Sequence, residues 1–143
     1  MDQRTKEKYS KLFFVGALWN MSIASSALLL PKLSNKLTFG FKSVIKYGPT
    51  TFALKLTWAL VFIYGIGYYF VSKDPEKNRG IVWMGIIGKL AFFFTALAYY
   101  QKKIITLLTT LLCLGDFIFS ILFVLFLLKT KDEARQTTQT ATS

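Results

Sequence analysis

Histidine is absent from this chain of 143 residues, and cysteine occurs once, as Cys113. The first absence removes the usual ligand for haem, zinc or copper and the usual general base near neutral pH. The second excludes a disulfide within the chain and a paired-cysteine redox centre. No set of base, nucleophile and metal ligands is visible, so the chain reads as a protein that is not an enzyme and carries no cofactor.

What is present is grease: 53% of the residues are apolar, and the mean hydropathy is +0.43. A soluble domain of this length would struggle to bury so much apolar surface, which points to the membrane class. The formal charge of +11 does not argue for nucleic acid. The lysines and arginines sit at the ends of apolar runs rather than in one patch, a placement suited to anionic lipid headgroups.

Four apolar runs fill most of the chain. Residues 12–30 are uncharged and stopped by Pro31 and Lys32; at about 1.5 Å per residue they match roughly 30 Å of hydrocarbon. The run exceeds a signal-peptide core and holds Asn20 and Ser22 in its middle, so it is expected to stay as a span. The others cover 50–71, 81–100 and 104–128, the second ending in Tyr68 and Tyr69 and the third in Tyr99 and Tyr100, where aromatic rings favour the interface. Backbone polar groups in hydrocarbon must pair internally, so these runs have to be helices. The expected fold is all-α, a four-helix transmembrane bundle running up-down-up-down.

Residues 1–131 are expected to form one membrane domain. The basic connection 33–48 can lie along the headgroups as a short helix, interrupted by Gly40, or stay a solvated loop. In the 72–80 connection, Asp74 caps and Pro75 begins a single helical turn that Gly80 closes. Residues 132–143 lack an apolar anchor and are expected to form a disordered polar tail. One side of the bilayer holds Arg4, Lys6, Lys8, Lys11, Lys73, Lys77, Arg79, Lys129, Lys131 and Arg135; the other holds Lys32, Lys36, Lys42, Lys46, Lys102 and Lys103. Ten against six places both termini in the cytoplasm of a multi-pass cell-membrane protein.

Two charges fall inside the hydrocarbon, Lys89 and Asp116. Each alone costs at least about 2.5–3.5 kcal/mol on insertion scales, so each needs a partner or water. Lys89 lies 13 residues before Lys102 and Asp116 lies 14 after it. Both therefore sit roughly 20 Å from that hairpin at about 1.5 Å per residue, level enough to pair. Asn20 and Tyr64, by their distance from the cytoplasmic edge, reach the same level. Thr109, Cys113 and Ser120 share the face of Asp116, and Gly85 and Gly88 let a neighbour approach beside Lys89. Such a cluster either locks helix register or forms a path or pocket for an ion, proton or small solute. Cys113 itself reads as a buried, unreactive thiol.

The segments Gly65-Ile66-Gly67-Tyr68-Tyr69, Asp74-Pro75-Glu76-Lys77-Asn78-Arg79-Gly80-Ile81-Val82 and Gly85-Ile86-Ile87-Gly88-Lys89-Leu90 resemble a pattern of small bacterial four-helix integral membrane proteins, a group that brings no activity with it. The resemblance implies a bacterial inner-membrane location. Length and span count are also similar to small multidrug transporters, but that family relies on a glutamate in its first helix, where this chain has Asn20. DoxX-like proteins share only the size. No functional residue carries over from either.

Two functional expectations follow. In one the protein is channel-like or transporter-like, with Asp116, Lys89, Asn20 and Tyr64 as the site for a small ion or solute. In the other it is a non-catalytic accessory or scaffold subunit of a membrane complex. Expected partners are membrane lipids and either a second copy or another membrane protein, with no nucleic acid.

Overall fold

The long apolar runs leave the backbone no partner but itself, and the result is helix almost throughout. The computed structural model describes residues 2–40 and 49–141. Their order is α1 (Gln3–Leu29), α2 (Pro31–Phe39), α3 (Pro49–Lys73), α4 (Arg79–Gln101) and α5 (Leu107–Ala141), with no strand among the described residues. Four stretches are long and apolar enough to cross a membrane, Gln3–Leu29, Thr50–Lys73, Arg79–Gln101 and Leu107–Thr130. The fifth helix, α2, has nine residues, too few to span.

Helices run past the hydrophobic boundaries read from the sequence because hydrogen bonding, not hydropathy, ends a helix. α1 takes in the basic residues before Leu12 and begins where the Asp2 carboxylate accepts the Thr5 amide at 2.9 Å. α5 begins later than Ile104. Lys103 adopts a left-handed φ of 58°, and the Thr106 hydroxyl accepts the Thr109 amide at 3.3 Å to start the helix. At the other end α5 continues to Ala141, into the segment expected to be a disordered tail. No glycine or proline follows Leu128 to stop it.

Pro31 stops α1 but also opens α2, where a missing amide costs nothing. α2 resolves the first part of the 33–48 connection as helix and ends at Gly40, whose φ of 82° suits only glycine; residues 41–48 lie outside the described residues. Its far end is tied to α5. The Thr106 amide donates to the Thr38 carbonyl at 2.8 Å, and the Thr106 and Thr109 hydroxyls both donate to the Leu37 carbonyl. In the 74–78 turn Asn78 donates to the carbonyls of Asp74 and Phe70, and Gly80 falls inside α4 rather than closing the turn.

Packing is uneven. α1 lies closest against α3 and α4 against α5, while α3 and α4 touch less extensively. The α1–α3 approach centres on Gly65, where an added Cβ would stand 2.5 Å from Met21 Cγ and 3.2 Å from the Ala17 carbonyl. The two pairs are joined at one end by an aromatic core. Phe13 packs on Phe123 and Phe126 with ring centroids 4.8 and 5.0 Å apart, Tyr9 on Phe126 at 4.9 Å, and Tyr68 on Phe123 at 5.2 Å. Val71, Val82 and Leu127 complete this core. Polar ties seal the same end: Ser10 donates to the Ser72 carbonyl, and Arg79 to the Leu127 carbonyl at 3.1 Å.

Candidate functional site

Beyond the aromatic core, in the direction of α2, the pairs part and a cavity of about 560 Å³ lies between them. That volume is in the range of small-molecule pockets, roughly 300–1,000 Å³. Along α1 it reaches from Asn20 to Leu30, about 15 Å at the helical rise. α2 borders its far end through Leu33, Ser34, Leu37 and Thr38.

The polar end of the cavity is its floor. Lys89 comes from α4, and its ammonium donates to Asp116 Oδ1 on α5 at 2.5 Å and to Asn20 Oδ1 on α1 at 3.0 Å. Lys89 is 5% exposed, whereas the Asp116 side chain is 18% exposed and lines the cavity. The ammonium also stands 5.2 Å from the ring centre of Phe119 and 5.5 Å from that of Tyr68, so its remaining face meets aromatic π density. An amine at this depth is held by one opposite charge, one amide and two rings, the kind of full satisfaction a buried charge requires. Among the described residues, no hydrogen bond reaches the second carboxylate oxygen, Asp116 Oδ2.

Local sequence explains the geometry. Gly85 and Gly88 flank Lys89 on the face turned to α3, and the tyrosines of α3 occupy the space. A Cβ on Gly85 would stand 2.6 Å from the Tyr68 hydroxyl, and one on Gly88 would stand 3.7 Å from the Tyr64 hydroxyl. On α5, Gly115 takes the indole of Trp19, 3.1 Å from where its Cβ would stand. The Ser120 hydroxyl returns to the Asp116 carbonyl at 2.9 Å, so its donor is spent on its own helix and does not join the cluster.

Of the four residues the sequence brings to one level, Lys89, Asp116 and Asn20 form a direct hydrogen-bonded group. Tyr64 lines the cavity beside them without a hydrogen bond to any of the three among the described residues. Tyr68 is the residue that sequence reasoning misses. Its place near the end of an apolar run suggests an interfacial ring, but α3 continues to Lys73 and holds it inside at 1% exposure. The available signal was its spacing of four from Tyr64, which puts both phenols on one helical face. Cys113, expected to be buried, is half-buried and lines the cavity one turn above Asp116. Among the described residues no three metal-ligating side chains converge. No protein family, curated protein or solved structure matches this chain.

Proposed function

We propose that the protein is a multi-pass cell-membrane protein, transporter-like rather than an open channel, that takes a small solute into the cavity above the Lys89, Asp116 and Asn20 cluster. The observation that carries this reading is the cavity itself: the intramembrane ion pair forms its polar end instead of lying in dry packing. Beyond the pair, Phe13, Phe123 and Phe126 are fully buried, which favours alternating exposure over a continuous aqueous path.

The same reading has the four long helices crossing the bilayer up, down, up and down. It draws support from contacts that pair the start of one long helix with the end of another next to it in the chain, such as Ser10 with Ser72, Ile81 with Gly67, and Arg79 with Leu127. With both termini cytoplasmic, as the ten-to-six division of basic residues favours, α2 and the mouth of the cavity lie on the outer side. A bacterial inner membrane is the setting suggested by the glycine and Asp74-Pro75 pattern. A second copy of the chain is the partner that would most simply complete a passage.

Flux into liposomes tests the reading. Vesicles carrying the protein should accumulate at least one solute from a panel of small ions and organic solutes, and Asp116→Asn should cut that flux at least tenfold while the helices remain folded. Vesicles as tight as protein-free ones across the panel would contradict it. The accessory-subunit reading draws on the saturation of the Lys89 ammonium by Asp116 and Asn20. It expects Asp116→Asn to lower assembly, Lys89→Leu with Asp116→Leu to restore it, and crosslinking to recover one consistent membrane-protein partner.

A further inference from the structure

The cavity's walls and floor differ in chemistry, and that difference specifies a ligand. We infer that the cavity takes an uncharged, hydroxyl-headed amphiphile from the bilayer, with its hydroxyl at Asp116 and its apolar body between α1, α3 and α5. This ligand class rests on the reading of the cavity as a solute site.

The head follows from charge and hydrogen-bond accounting at the floor. Lys89 and Asp116 sum to zero, and no other charged side chain lines the cavity among the described residues. A ligand bearing a net charge would be buried there without a counter-charge. The one cation is already committed to Asp116 and Asn20 and is nearly inaccessible, so an anionic head finds no free counter-charge. What the floor offers is the open Oδ2 of Asp116, an acceptor, and the phenol of Tyr64, for which no hydrogen-bond partner exists among the described residues. Tyr64 is half-buried, and hydroxyls left unpaired away from water are costly. A hydroxyl head answers both needs, since it donates to a carboxylate and accepts from a phenol with one oxygen.

The body follows from the walls. Ser26 and Thr57 line the cavity, but their hydroxyls donate to carbonyls of their own helices, Ser22 and Ala53, at 2.8 Å each. Their donors are spent; Ser22, Ser34, Thr38 and Thr109 add hydroxyls at intervals, and the rest of the wall is dominated by Trp19, Ile23, Trp58, Val61 and Phe92. The outer lining includes Leu33, Leu37, Leu60 and Leu112, all exposed. The wall hydroxyls are outweighed by apolar surface, on which an alkyl or aromatic chain is at home. Exposed leucines within spans, and on the short helix beside them, open toward lipid, so the ligand arrives from the bilayer.

The two tryptophans of the wall make this measurable. Trp83, the third, is exposed elsewhere, and Trp83→Phe removes its lipid-facing emission. In nanodiscs, that protein is titrated with a bromine-tipped dodecanol and with the matching amine and carboxylate, and quenching of Trp19 and Trp58 is followed. The alcohol should quench saturably at a concentration at least tenfold below that of either charged analogue. Asp116→Asn should weaken it at least tenfold. Ser26→Leu, which fills the cavity midway without touching the cluster, should do the same, so a poorly folded Asp116→Asn leaves the test intact. Quenching that is linear, equal for all three heads, tighter for a charged head, or unchanged by both variants would overturn the assignment. No gradient is involved. Saturable alcohol binding without vesicle flux therefore keeps the ligand class and removes translocation, while flux without head preference does the reverse.

Discussion

The two ends of the helix assembly use similar residues to opposite effect. Toward the chain termini, Phe13, Tyr68, Phe123 and Phe126 interlock and leave no space; toward α2, Trp19, Trp58, Tyr64 and Phe92 stand around a cavity of about 560 Å³. Between hydrocarbon-solvated helices apolarity alone drives no association, so packing and polar contacts decide which surfaces close. At the closed end, backbone carbonyls of Ser72 and Leu127 receive side-chain donors from other helices. At the open end the polar ties run through α2 to α5 and skirt the interior. The Lys89 cluster sits at the boundary, where it fastens three helices and presents one free oxygen.

This contrast is open to being broken. The largest effect is expected at the boundary: Lys89→Met or Asp116→Asn leaves a charge without its partner and should cost about 3–5 kcal/mol, most of it recovered in Lys89→Leu with Asp116→Leu. Detergent-denaturant titration of the reconstituted protein measures both, and a double variant weaker than either single would sharpen the cluster into a packing device of specific shape. Next, Phe123→Ala in the closed core should cost about 3 kcal/mol, at the lower end for an aromatic truncation because the cavity term survives without water while the transfer term shrinks. Leu112→Ala, beside the cavity, should cost less than about 1 kcal/mol by the same titration, since its side chain is already partly without neighbours. Equal losses at Phe123 and Leu112 would erase the distinction between the ends.

The smallest effect concerns the tip of α1. Hydrogen bonds from Thr5, side chain first and amide second, hold the Asp2 carboxyl below the usual carboxylate range. A carboxyl lowered on folding gives its support fully above its ordinary pKa and loses it as pH falls through the lowered value. Protection of the Lys6 amide from exchange, relative to an unstructured peptide at the same pH, should therefore fall under acid, and in Asp2→Ala at neutral pH, while protection in the aromatic core stays unchanged.

Much of this was legible in the sequence because a membrane fixes depth. Counting from Lys102 is enough to set Lys89 level with Asp116, and counting from the basic edge brings Asn20 to them, since 1.5 Å per residue leaves little freedom. What counting cannot supply is rotation and separation. Hydropathy places Tyr68 at the interface because it marks where lipid ends, not where α3 ends. The cavity was invisible for a related reason: Ser26 and Leu112 carry no mark that tells a wall from a lipid-facing surface. The reach of α5 to Ala141 likewise reflects hydrogen bonding that continues beyond the apolar run.

The central claim is that the cavity opens toward α2 and ends at the Lys89–Asp116 pair, and cysteine accessibility tests it most directly. The native chain carries one thiol, Cys113, which lines the cavity, and Ser120 lies one turn past Asp116 at 2% exposure. A small uncharged, membrane-permeant maleimide applied to reconstituted protein at alkaline pH, where the thiolate forms, should modify Cys113 at least tenfold faster than Ser120→Cys in a Cys113→Ser background. Modification of both at similar rates, or of the Ser120→Cys thiol alone, would mean that the closed end is open and that the pair is not the floor.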